Sequence, residues 1–265
     1  MKRRSIGIVG LTVGLIAALI GLAVVPASAS HSWGSYHWKQ PAAVVTLTYN
    51  SNLTTGDWQT RLDGNTVPAP ELSVINDWDQ SLQLVLAKGQ SNVQDPRQCK
   101  ARSGTIQVCN ASYGRNGWLG IAQIWTSGGH IVQAVTKVND TYFNTATYNT
   151  PAWRQMVLCQ EVGHDFGLTH QDENFTNPNL GTCMDYTSNP DTNQHPNAHD
   201  LEQLGCIYDG HDSGGTPSPH AAGCSGPLSG TTTGNSTYVE ELGNGRRVVT
   251  HVFWVDPRVA HGPPF

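Results

Sequence analysis

The chain has 265 residues, of which 38% are hydrophobic and only 13% charged, and its formal net charge is −5. This mildly acidic chain has no basic cluster beyond its first residues, which argues against nucleic acid and anionic membranes as partners. The length suffices for one sizeable core plus an appendage.

Residues 1–29 have the pattern of a secretory signal peptide. Lys2, Arg3 and Arg4 are followed by an apolar run from Ile6 to Val25 and then by the small-residue cleavage site Ala27-Ser28-Ala29. An uncleaved anchor is the alternative, because about twenty apolar residues can span a bilayer. The adjoining cleavage site favours removal. We therefore expect a secreted, monomeric protein of 236 residues (265 minus 29) with no stable membrane association.

The next part of the chain predicts an α+β domain over residues 30–212. β-Branched and alternating apolar runs indicate a mixed, mostly five-stranded sheet, and Leu72, Ile75 and Trp78 at helical spacing indicate a helix between its first two strands. The Ser127-Gly128-Gly129 break predicts a hairpin between the last two strands. The five strands are expected at residues 42–49, 82–86, 104–109, 119–126 and 130–138.

Two helices and a terminal extension complete the prediction. Pro151 begins one helix that Gly167 ends, and Asn197 is a good N-cap for a last helix. Residues 213–233 are rich in Gly, Ser, Thr and Pro and are predicted to be a linker. Two alternating apolar runs around Gly243-Asn244-Gly245 predict a C-terminal β-hairpin extension over residues 234–265.

The six cysteines all follow the signal sequence. In an exported protein an even number of cysteines predicts disulfides. The cysteines show no C-x-x-C spacing, which argues against a thiolate metal site. Six cysteines allow fifteen pairings. Sequential pairing is our expectation: Cys99–Cys109, Cys159–Cys183 and Cys206–Cys224.

The stretch "CQEVGHDFGLTHQD", residues 159–172, contains the most specific pattern in the chain. Gln160 and His164 are four residues apart, so both project from one helix face, with Glu161 beside them. Gly167 permits a positive-φ turn that can bring His170 back toward His164. Each residue alone has an ordinary explanation, but the fixed register of all of them indicates a metal site with an adjacent general base.

This stretch resembles the signature of the metzincin zinc peptidases, H-E-x-x-H-x-x-G-x-x-H followed by a methionine turn, and is similar to small secreted metallopeptidase-like proteins of actinobacteria. The turn corresponds to "GTCMDYTSNP" with Met184. The resemblance implies a metzincin-like catalytic domain, with His164 and His170 as ligands of one Zn²⁺ and Glu161 as general base. It further implies Met184 as the apolar floor beneath the metal and Tyr186 as a residue reaching the zinc or the oxyanion, with an ordinary packed aromatic as the alternative for Tyr186.

The departure from the signature is Gln160, which stands where the first histidine should be. Its neutral amide oxygen is a less usual zinc ligand than imidazole, thiolate or carboxylate, so weaker binding than in a three-histidine site is expected. Three outcomes are open. Gln160 is a poor third ligand, Tyr186 or Asp172 takes its place, or the site is empty at ordinary metal levels.

The resulting expectation is a zinc-dependent endopeptidase that hydrolyses protein or peptide substrates with a metal-activated water and Glu161. The alternative is a catalytically inactive binding module on the same scaffold, which has lost zinc through Gln160. A third hypothesis, carbohydrate binding by Trp254 and Tyr238, depends on aromatic content alone.

Overall fold

The computed structural model describes residues 31–33, 36–39, 44–64, 73–91, 95–208, 212 and 235–258. Within these residues it contains eight strands and five helices. The predicted signal peptide and the predicted linker lie outside them. The strands are β1 (His37–Trp38), β2 (Val45–Asn52), β3 (Leu84–Lys88), β4 (Thr105–Ala111), β5 (Trp118–Ser127), β6 (His130–Asn139), β7 (Thr237–Gly243) and β8 (Arg246–Trp254), and the helices are α1 (Gly56–Asp63), α2 (Val74–Trp78), α3 (Asp140–Phe143), α4 (Pro151–His164) and α5 (Ala198–Ile207).

All eight strands belong to one mixed sheet. Its order is β3-β2-β4-β6-β5-β8-β7, and the short β1 pairs with β6 in parallel. The β2, β3, β4 and β6 pairings are parallel, whereas β5 runs antiparallel to both β6 and β8. The five predicted strands correspond to β2–β6, so the expected five-stranded sheet was wrong in its count. The two terminal strands and β1 extend the same sheet.

Local signals place most of the elements. Gly128 and Gly129 have positive φ angles in the turn between β5 and β6, as the Ser-Gly-Gly break predicts. The Thr150 side chain caps α4 ahead of Pro151, and Asn197 caps α5 in a capping box with Asp200. The helix predicted around Leu72, Ile75 and Trp78 corresponds to α2, which covers Val74–Trp78, and the first residues of that prediction lie outside the described part of the chain.

Helix α4 lies at the centre of the molecule. It packs on β5, β6 and β8 on one side and on α1 and α2 on the other. Every residue from Trp153 to His164 is therefore buried, including the polar ones. A helix buried all round can keep Gln, Glu and His side chains only if something compensates their lost hydration.

Two of the predicted disulfides are present. Cys99 pairs with Cys109, and Cys159 pairs with Cys183, which connects α4 to the segment containing Met184. Cys206 is also disulfide-bonded, and its predicted partner Cys224 lies outside the described residues. Among the described residues, no helix combines the length and the apolar character that a membrane crossing requires.

Candidate metal centre

The end of α4 directs two histidines toward each other. Gly167 has a φ angle of 96°, and a Cβ atom there would lie 2.2 Å from the backbone oxygen of Tyr36. Only glycine satisfies both the positive φ and this close approach. The chain therefore reverses after the helix, and the Nε2 atoms of His164 and His170 come within 3.0 Å of each other.

A third histidine, His251 on β8, completes the cluster. Its ring stacks on that of His164, with 3.9 Å between centroids, and lies 5.1 Å from that of His170. One ring nitrogen of each of the three residues lies within 4.8 Å of the others. Sequence reasoning missed His251, because its position depends on the pairing of β8 with β5 and no local motif marks it.

The Nδ1 atoms of the three rings, which point away from the cluster, each have a hydrogen-bond partner. Nδ1 of His164 is 2.8 Å from the Leu168 carbonyl oxygen, and Nδ1 of His170 is 2.9 Å from a Glu173 carboxylate oxygen. Nδ1 of His251 is 3.0 Å from the Thr237 hydroxyl. Carbonyl and carboxylate oxygens only accept, so Nδ1 of both His164 and His170 carries a hydrogen, and their Nε2 atoms face each other.

Burial favours the neutral form of two of these imidazoles. It lowers the pKa of His164 and of His251 well below the ordinary value, and the neighbouring histidines lower both further. Converging ring nitrogens whose opposite nitrogens are hydrogen-bonded form the arrangement in which proteins hold a divalent transition metal. The donor set therefore fits such an ion.

Gln160 and Glu161 lie on α4 one turn before His164, and both are completely buried. Nε2 of Gln160 donates to the Cys183 carbonyl oxygen at 2.7 Å. Among the described residues, its Oε1 atom and both carboxylate oxygens of Glu161 have no hydrogen-bond partner. Burial, and then the charge of Asp165, raise the pKa of Glu161 well above the ordinary value. A buried carboxyl of this kind is suited to exchanging a proton.

Met184 and Tyr186 lie on the segment that Cys183 joins to α4. Met184 is fully buried, and its sulfur lies 2.7 Å from where a Cβ atom on Gly163 would stand, so it packs directly on the ligand helix. The Tyr186 hydroxyl donates to the Val252 carbonyl oxygen of β8 at 2.5 Å, and its ring lies edge-on to His170. In this conformation that hydroxyl is held by β8.

Other candidates lie apart from the cluster. Asp172, considered as a replacement ligand, accepts a hydrogen bond from the backbone of Asn174. His195 pairs with Asp77, and His199 stacks on His31. None of these three belongs to the metal-ligating groups found within the described residues.

The centre is closed to large molecules in this conformation. Gln160, Glu161, His164 and His251 have no exposed surface, and His170 is 5% exposed. Beside it lies a cavity of about 450 Å³, whose lining includes Glu173, Tyr186, Ser236 and Trp254. This cavity reaches the Tyr186 ring and Glu173, whose carboxylate is hydrogen-bonded to His170.

Comparison with known proteins gives no family for this chain. No protein-family model matches it, and no curated protein is significantly similar to it.

Proposed function

We propose that the protein is a secreted zinc-dependent endopeptidase with a metzincin-like domain, whose metal is held by His164, His170 and His251. The observation that carries the proposal is the convergence of three buried imidazoles, each with a hydrogen-bond partner on its other ring nitrogen, next to a buried carboxyl without a hydrogen-bond partner among the described residues. His251 supplies the imidazole that Gln160 lacks in the α4 motif. The tail strands β7 and β8, the predicted C-terminal hairpin, are thus part of the site.

Within this proposal the side chains divide the chemistry. Bound zinc supplies a Lewis acid for the scissile carbonyl and lowers the pKa of a water molecule. Glu161, deprotonated when the metal is bound, takes the proton from the attacking water and passes it to the leaving amine. Tyr186 stabilises the oxyanion once its hydroxyl leaves the Val252 carbonyl.

The described conformation is the resting state in this proposal. A substrate must open the cavity beside the centre, whose lining includes Glu173 and Tyr186, while β8 keeps His251 at the metal.

A casein-hydrolysis assay on the zinc-loaded full-length protein tests this function. We expect the wild type to hydrolyse casein and Glu161→Gln to lose this activity while it retains zinc, because the proposed role of Glu161 is to transfer a proton and not to bind the metal.

The complete burial of the centre favours a second candidate, a non-catalytic binding module with a structural metal. Wild-type protein that binds zinc and hydrolyses nothing would establish this candidate and refute the peptidase. Absence of zinc in both wild-type protein and Gln160→His would refute both metal-dependent functions.

A further inference from the structure

A second cluster of metal-ligating side chains lies outside the α4 centre. His37 on β1 and His130 at the start of β6 are direct partners in the parallel β1–β6 pairing, so the backbone register places the two side chains next to each other. Their rings are 4.8 Å apart and nearly perpendicular. Asp212, which follows α5, approaches both rings.

The three side chains converge through their reactive atoms. Nε2 of His37 lies 3.1 Å from one Asp212 carboxylate oxygen, and Nε2 of His130 lies 3.0 Å from the other. One ligand atom from each residue lies within 4.8 Å of the other two. Two imidazoles and a carboxylate are the nitrogen and oxygen donors that zinc and similar divalent ions prefer.

The surroundings of the cluster suit a structural site. The side chains of His37 and Asp212 are 9% and 12% exposed, whereas that of His130 is 30% exposed, which leaves one side open to a water ligand. The Tyr208 ring lies edge-on to His37, and its hydroxyl donates to the Phe166 carbonyl oxygen. The Tyr208 side chain therefore holds the His37 ring close to the end of α4.

We propose that His37, His130 and Asp212 form a second, structural site for a divalent transition metal such as zinc. The ion would join three segments that are far apart in the chain: the N-terminal segment, the sheet and the segment after α5. The N-terminal segment also contains Trp33, whose ring contacts that of His251 in a tilted arrangement with 3.5 Å between centroids. Anchoring His37 therefore helps to hold Trp33 over the α4 centre.

The experiment is a zinc titration of metal-free, disulfide-bonded full-length protein, with bound zinc counted by mass spectrometry. Wild type should bind two equivalents, and His130→Ala and Asp212→Asn one each. The matched control is His195→Ala, because His195 also hydrogen-bonds to an aspartate, Asp77, but belongs to no metal-ligating cluster of the described residues. It should still bind two equivalents. Asp212→Asn changes little in shape, so a folding defect in one variant does not decide the result.

The two sites can be separated by His170→Ala. Suppose that the wild type binds one equivalent of zinc, that His130→Ala and Asp212→Asn also bind one, and that His170→Ala binds none. This result would overturn the proposal, and the second cluster would contain only histidine–aspartate hydrogen bonds. If instead the wild type and His170→Ala each bind one equivalent and Asp212→Asn binds none, the result would support the second site and refute the α4 centre. No binding by the wild type would overturn both.

Discussion

At the scale of single residues, Gly120 determines the space available to Glu161. A Cβ atom on Gly120 would lie 2.5 Å from Oε1 of Glu161 and 2.8 Å from its carboxyl carbon. Gly120 lies within β5, where glycine otherwise weakens a strand. The close approach gives a physical reason for it, since the general base of the proposed reaction occupies the space of a side chain.

Gly120→Ala is expected to displace the Glu161 carboxyl and to lower the free energy of unfolding by about 1–3 kcal/mol, as overpacking of a full core does. Peptidase activity should fall sharply while zinc content is unchanged. Urea unfolding, zinc content and the peptidase assay measure these effects. Gly56→Ala is the control, because a Cβ atom there meets nothing within 4 Å. Equal effects of the two substitutions would contradict this account.

His195 gives a prediction about pH. Its hydrogen bond to Asp77 raises its pKa above the ordinary value of 6.5, although burial acts in the opposite direction. Because the folded pKa is raised, the stabilisation is fully present below pH 6.5 and is lost as pH rises through the folded pKa. Urea midpoints of wild type and His195→Gln should therefore differ most in acid and converge in base. A constant difference from pH 5.5 to 9 would contradict the prediction.

At the scale of elements, α4 and the segment containing Met184 act as one unit. The Cys159–Cys183 disulfide joins them, and the Gln160 amide donates to the carbonyl oxygen of the same Cys183. The indole nitrogen of Trp78 on α2 donates to the Cys159 carbonyl oxygen. These bonds fix the ligand helix from two sides.

Replacing both Cys159 and Cys183 by alanine should lower the free energy of unfolding by about 3 kcal/mol, through the released loop of 24 residues. Zinc affinity should also fall, because the bond lies beside Gln160. The matched variant lacks Cys99 and Cys109, which close a loop of 10 residues away from the centre. It should lose a similar free energy and keep its zinc affinity, as competition with a chelator would show. Equal losses of affinity would argue against a positioning role for Cys159–Cys183.

Elements with strong local signals could be predicted from the sequence. The capped helix starts at Thr150 and Asn197 and the β-branched runs gave α4, α5 and β2–β6 within a few residues. Helix α1 was missed because it begins at Gly56 and buries only Trp58 and Leu62, which gives little periodicity. The sequence likewise indicated the facing pair His164 and His170, since a helix turn and one glycine bring them together. His251 depends on pairing between distant strands, which local patterns do not encode.

At the scale of the whole molecule, the candidate centre connects the ends of the described chain. His164 and His170 follow one another on α4 and its turn, whereas His251 belongs to β8 and contacts Trp33 of the N-terminal segment. Metal bound by all three histidines would stabilise the docking of β8 on β5. Metal binding and the closed conformation are therefore coupled.

Removal of zinc should lower the global free energy of unfolding by about 4 kcal/mol when free zinc had been about 1,000 times the Kd. The His130→Ala background isolates the α4 centre from the second site, and thermal unfolding with and without a chelator measures the change. Adding His251→Ala in the same background should greatly reduce the effect of zinc. A full effect in that double variant would exclude His251 as a ligand.

The place of β8 in the sheet also has a consequence for the order in which the protein is made. Gln123 of β5 and Thr250 of β8 face each other across 127 positions of sequence, so their pairing is a long-range contact that forms slowly. With the proposed ligands, a nascent chain can present His164 and His170 but must wait for His251. The complete centre is therefore assembled after synthesis has passed the last described strand, and an unfinished chain cannot hold its metal with all three histidines.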